Sequence, residues 1–110
     1  MDKNIFKVKG TYVNGQWFSS NNTYEVFNPS NGEKLSDVPI SDKKELELAV
    51  ESAKKAQAIW SKTSLIERVK CLEELSKKIL DKEEEFALID SYDSGNALTG
   101  MRKDVKETVN

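Results

Sequence analysis

Histidine is absent from this 110-residue sequence, cysteine occurs once, and the longest unbroken apolar run is the four residues 86–89. Without histidine, the commonest general base and the commonest metal ligand are both missing, so Ser-His-Asp and Cys-His catalysis cannot be assembled within the chain. The same absence nearly rules out transition-metal sites. One cysteine, Cys71, cannot form an internal disulfide, which fits a reducing compartment. Neither G-x-G-x-x-G nor G-x-x-x-x-G-K-[ST] occurs, so the glycine spacings that bring backbone amides to a phosphate are lacking. An apolar run of four is far below the roughly 20 residues that cross a bilayer. Residues 1–10 carry lysines but no apolar segment of signal-peptide length, so the expectation is a cytoplasmic protein without a membrane partner. Charge of one sign is also scarce. Seventeen Lys and Arg face nineteen Asp and Glu for a net charge of −2, and residues 1–40 hold four of each sign. Nucleic acid is excluded as a partner by the lack of a positive field.

What is present suffices for a modest core. Leu, Ile, Val and Phe make up 27 of the 110 residues, more than the roughly one fifth below which charged chains stay disordered. After a lead at residues 1–10, read as flexible, two short apolar segments flank Asn14-Gly15 in Tyr12-Val13-Asn14-Gly15-Gln16-Trp17-Phe18. Asn and Gly tolerate positive φ best, so this is a hairpin with a type I′ turn. Residues 24–28 and 33–40 flank the turn formers Pro29-Ser30-Asn31-Gly32 and predict a second, looser hairpin. Pro39 lacks an amide proton, which places the strand end or an edge there.

From Ser41 the period changes. Leu46, Ala49, Val50, Ala53, Ala56 and Trp60 recur at three- and four-residue steps with charged residues between them, predicting an amphipathic helix. Either Ser41 or Asp42 caps it, and only Asp42 with Glu45 has capping-box spacing. Ser64 with Glu67 opens a second helix, striped by Leu65, Val69, Leu72, Leu75 or Ser76, and Ile79. Asp81 with Glu84 repeats the device for a third helix through Phe86, Ala87 and Ile89, stopped by Gly95. Leu98, Met101 and Val105 share one face of a final helical stretch that reaches Asn110 without a stop signal, the pattern either of a chain cut inside a longer element or of a fraying tail. The fold class is α+β: two hairpins at 11–40, then three to four amphipathic helices at 41–110, forming a single incomplete domain.

The candidates for chemistry each have a plainer reading. Cys71, unaided by any histidine, reads as a small half-buried hydrophobe. Asp90 and Asp93 could work as paired carboxylates on one helical face, but solvated positions at a helix end explain them as well. Trp60 closes a helical stripe and Trp17 follows a hairpin turn, so both read as core rather than as stacking platforms.

Taken in order, Tyr12-Val13-Asn14-Gly15-Gln16-Trp17, Val26-Phe27-Asn28-Pro29-Ser30-Asn31-Gly32-Glu33, Ala49-Val50 through Ala53, Ala56 and Trp60, Glu67-Arg68, and Asp93-Ser94-Gly95 resemble the N-terminal part of the NAD(P)-dependent aldehyde dehydrogenase superfamily. The resemblance covers about residues 10–105. It implies the first part of an α/β, Rossmann-like cofactor-binding domain, in an enzyme that oxidises an aldehyde to a carboxylic acid with NAD or NADP. The family's nucleophilic cysteine, general-base glutamate, oxyanion asparagine and cofactor-gripping lysine and glutamate follow the resembled segment, so none is expected here. Cys71 matches a core position of an early helix and not that nucleophile. The chain alone is therefore expected to be inactive, with neither catalytic nor cofactor-binding residues of its own.

One family site maps onto this chain. Some members hold a monovalent cation, Na⁺ or K⁺, with two backbone carbonyls before Asn-Pro and a carboxylate from Asp-x-Gly. The resemblance places these at Val26, Phe27 and Asp93, with the remaining ligands in later sequence. Hydrogen bonding near the helix end is the plainer role for Asp93. Ser94 and Asn96 depart from the family's usual Thr and Lys. The implied partners are the rest of the aldehyde dehydrogenase chain, an aldehyde substrate bound through it, and further copies in a homo-oligomer. The alternative function is a free-standing helical interaction module without activity.

Overall fold

The computed structural model describes residues 3–110, and Met1 and Asp2 of the expected flexible lead lie outside the described residues. Lys3–Phe6 forms a short 3-10 helix. Phe6 is buried against Tyr92, with ring centroids 5.4 Å apart. This part of the lead is packed, because the large apolar ring of Phe6 gains cover by folding back onto Tyr92.

Strands β1 (Thr11–Val13) and β2 (Gln16–Phe18) pair antiparallel, with Val13 opposite Gln16. Asn14 at φ 50° and Gly15 at φ 78° make the two-residue turn that the sequence predicts. Strands β3 (Thr23–Phe27) and β4 (Lys34–Pro39) form a second antiparallel pair, ending with Thr23 opposite Pro39. The two pairs are separate sheets.

Four helices follow: α1 (Lys43–Trp60), α2 (Leu65–Leu80), α3 (Glu83–Ser94) and α4 (Leu98–Thr108). Asp42, and not Ser41, caps α1, its carboxylate accepting from the amides of Lys44 and Glu45 while Glu45 reaches back to the Asp42 amide. Ser64 and Glu67 form the same box on α2. The expected Asp81–Glu84 box does not form. Asp81 ends α2, its amide bonded to the Lys77 carbonyl, and α3 starts two residues later from Lys82 with no side-chain cap. A residue still closing one helix cannot take the extended conformation that an N-cap requires. Three glutamates in the first turn of α3 face the positive end of its dipole instead.

The burial is divided among small clusters and forms no single core. Val13 is buried at the first hairpin, whose β1 is the chief neighbour of α1, and Ala87 and Val105 are buried in α3 and α4, which pack closely on each other. No residue of α1 or α2 is buried. Consequently several expected core positions are open. Trp60 is 39% exposed, Leu72 is 58% exposed, and Cys71, expected to be half-buried, is exposed. Trp17 lies on Tyr12, at 4.9 Å between ring centroids, and remains largely in solvent. The pattern put these residues on apolar stripes correctly, but a stripe is buried only where a second surface covers it.

Candidate functional site

The segment that joins β3 to β4 meets the C-terminal end of α3. Asn28, one of the few buried polar residues, holds the turn together. Its amide donates to the Glu33 carbonyl at 2.8 Å, its carbonyl accepts from the Gly32 amide at 2.8 Å, and its side-chain Oδ1 accepts from the Ser30 amide at 2.9 Å. Burying an Asn side chain is tolerable because the backbone uses it in this way. The Asn-Pro segment thereby becomes a rigid knob presenting the ring of Pro29.

Gly95 receives that knob. It caps α3 at φ 77°, and a Cβ placed there would lie 2.9 Å from Cγ of Pro29. Two serines tie down the helix end around it. Ser91 Oγ donates to the Asn96 carbonyl, and Ser94 Oγ donates to the Asp90 carbonyl while accepting from the Asn96 amide. The helix-end bonds expected of Asp93 are made by its serine neighbours.

Just before the knob, the β3–β4 ladder slips. Val26 pairs with Ser36 and Phe27 with Lys34, so Leu35 has no partner and the irregularity falls between Val26 and Phe27. The extra residue is Leu35, so it is β4 that bulges opposite the Val26–Phe27 step. Val26 and Asp93 line the same cavity, of about 350 Å³, together with Phe6, Tyr24 and Ile89. Phe27 does not line it, and its side chain is exposed. Asp90 lies apart from Asp93, in a different hollow beside Ile79 and Val105. The two carboxylates thus have no hollow in common in which to share acid–base work.

Other charges serve packing. Arg102 on α4 holds both carboxylate oxygens of Glu84 on α3, at 2.8 and 2.7 Å. The guanidinium hydrogen bonds keep Glu84 below the ordinary glutamate range. Hydrogen bonds from Ser64 lower Glu67 in the same direction.

The donor set suits one kind of ion. Two backbone carbonyls and a single carboxylate are hard, weakly charged ligands of the sort a monovalent cation accepts. Among the described residues there is no group of three or more His, Cys, Asp or Glu that could hold a metal. A dinucleotide does not fit the residues present. The sequence has no glycine-rich phosphate turn, and the hollow at Asp93 is chiefly apolar with a carboxylate in its wall, so no cofactor step is derived for this chain. No helix among the described residues is long and apolar enough to cross a membrane.

Sequence reasoning named Val26, Phe27 and Asp93 through the family resemblance, of which the structure brings Val26 and Asp93, but not Phe27, to one cavity. It missed the contact of Pro29 with Gly95, although a proline in a turn and a glycine at a helix stop were each legible. It also missed the isolation of Arg68, whose Nε is buried without a hydrogen-bond partner.

Known proteins resemble the chain in sequence and in overall fold. The family model described as "Aldehyde dehydrogenase family" matches residues 17–110. A malonate-semialdehyde dehydrogenase from Bacillus pumilus is 31% identical over 99% of this chain, and malonate-semialdehyde dehydrogenase 1 from Shouchella clausii is 38% identical over 96%. The chain spans 23% and 22% of those proteins' lengths. Among solved structures, a betaine aldehyde dehydrogenase from Staphylococcus aureus in complex with NAD⁺ superposes with a TM-score of 0.85 at 27% identity, over 93% of this chain and 21% of that one. An NADP-dependent enzyme of E. coli shares the fold, with a TM-score of 0.88 at 24% identity, over 98% of this chain and 23% of that one. The chain therefore belongs to the aldehyde dehydrogenase family and corresponds to its N-terminal segment.

Proposed function

We propose that this chain is a scaffold segment of an NAD(P)-dependent aldehyde dehydrogenase and carries none of that enzyme's catalytic or cofactor-binding residues. The whole enzyme oxidises an aldehyde to a carboxylic acid, and its nicotinamide cofactor, NAD or NADP, supplies the hydride acceptor when bound beyond this segment. Within that enzyme the residues described here stabilise and position. The Asn28-Pro29 turn fixes the second hairpin against the end of α3, and Val26, Phe27 and Asp93 contribute to a monovalent cation site whose remaining ligands come from later sequence. A cation there would tie the hairpin to the helix by neutralising Asp93 against the carbonyl oxygens. The whole enzyme is cytoplasmic and assembles as a homo-oligomer.

The observation that supports this reading best is the Pro29–Gly95 contact, because it brings together two segments that lie far apart in the chain and sets Asp93 on the cavity that Val26 lines. Two experiments test it. The purified chain, mixed with NAD⁺ or NADP⁺ and with malonate semialdehyde or betaine aldehyde, should give no NADH or NADPH above the blank. Turnover that follows the chain through purification would remove the scaffold reading. In the enzyme that carries this segment, melting in NaCl or KCl should exceed melting in choline chloride at equal ionic strength, and Asp93→Asn should erase the difference. An Asp93→Asn enzyme that keeps the full salt response would place the cation elsewhere.

A further inference from the structure

The chain has two arginines, and their surroundings differ sharply. Arg102 is gripped by Glu84 through two hydrogen bonds. Arg68 makes no side-chain hydrogen bond or ion pair among the described residues, and its Nε is buried with no partner. Arg68 stands four, seven and eleven residues before Leu72, Leu75 and Ile79 on α2, so it rises from the apolar stripe itself and not from the charged flank. A guanidinium has only donors and does not give up its proton in proteins. A buried Nε–H without an acceptor therefore calls for one from outside the chain.

The stripe around it is open. Leu65, Val69, Leu72 and Leu75 are all exposed, and the related enzymes contain more than four times the length of this chain. Arginine inside an apolar patch is the residue type that dominates buried contacts, since its planar fork combines stacking surface with paired hydrogen bonds.

We propose that Arg68 is the polar anchor of a docking seat on α2. Its occupant is the polypeptide that follows this segment in aldehyde dehydrogenases, which presents an apolar strip and one carboxylate to the Nε–H and an Nη–H of Arg68. This rests on the scaffold reading above. A carboxylate fits better than a neutral carbonyl, because covering the stripe takes the arginine's charge out of water and an opposite charge must compensate it.

The seat predicts effects of opposite sign in two contexts. In the isolated chain, Arg68→Leu removes an unsatisfied donor and extends the stripe, so the melting temperature should rise by about 4 °C. In a full-length chain made by substituting this segment for its counterpart in the Shouchella clausii enzyme, the same change strands the carboxylate and should lower melting by at least as much. Arg68→Gln, which keeps N–H donors without the charge, should behave like Arg68→Leu in the full-length chain. Leu72→Asp should leave the isolated chain within about a degree, since Leu72 is already open, and should keep the full-length chain from folding. The proposal is overturned if Arg68→Leu shifts both proteins in the same direction or leaves the full-length chain unchanged. It is overturned equally if the full-length chain with Arg68 in place stays unfolded, since the seat then fits no such surface. Retained melting in Arg68→Gln would replace the carboxylate by a neutral acceptor. NADH formation by the isolated chain tests the scaffold reading separately: an inactive chain whose Arg68 variants fail these signs removes the seat and leaves that reading standing.

Discussion

At Gly95 the backbone turns left-handed, with φ 77°, at the spot where Pro29 presses in. Gly95→Ala thus meets two penalties, the strain of positive φ and a methyl group 2.9 Å from Pro29 Cγ. Gly32, at φ 73° with open space where its Cβ would be, meets only the first, worth about 1 kcal/mol. In urea denaturation Gly32→Ala should cost about that amount and Gly95→Ala about 1–3 kcal/mol more. Equal costs would show that the Asn-Pro knob is not seated on the helix end. Glu84 supplies a second test at this scale. Its folded pKa is depressed by Arg102, so the pair contributes stability above the unfolded glutamate value, which is lost as pH falls through the folded value. The pair is exposed, so the effect is small. Lowering the pH from neutral to below about 4 should reduce the urea midpoint of the wild type more than that of Glu84→Gln, and parallel pH profiles would count against the contact.

Among the elements, α2 combines a well-capped start with little tertiary support. Its Ser64–Glu67 box satisfies amides at the first turn, and Ser64→Ala should cost about 1 kcal/mol. Because α2 buries no residue, that loss should appear as fraying of α2 alone, with faster amide exchange at residues 65–68 and little change in α3 or α4. Uniform acceleration across all four helices would mean that α2 unfolds together with the rest. The box at Ser64 was legible because both partners lie within four residues. The expected box at Asp81 failed for a reason outside that window: α2 continues to Leu80, and its closing turn takes Asp81 first.

As a molecule the chain is open. Its radius of gyration is 16.9 Å, against about 13 Å for a compact domain of this length. The excess follows from α1 and α2, whose Leu46, Val50, Leu65, Val69, Leu72 and Leu75 face outward. Apolar area on this scale drives association in water. Light scattering on the isolated chain should show apparent mass rising with concentration, and the dye ANS should brighten on binding. A strictly monomeric sample with a sharp two-state calorimetric melt would mean that the stripes find cover within the chain.

Periodicity, turn chemistry and capping act over a few residues, so the sequence by itself determined both hairpins, the Asn14-Gly15 turn, the stop at Gly95 and a run of three to four helices, of which the structure has four. The family words were legible for the same reason, being short and ordered. Only tertiary structure decided which stripes are covered, because burial depends on surfaces brought from elsewhere: Ala87 and Val105 find one in each other's helices, whereas Trp60, Cys71 and Leu72 do not. It decided likewise that Pro29 seats on Gly95, that Val26 and Asp93 share a cavity, and that Arg68 Nε has no acceptor among the described residues, since each joins or isolates groups over distances at which no local pattern in the chain carries information.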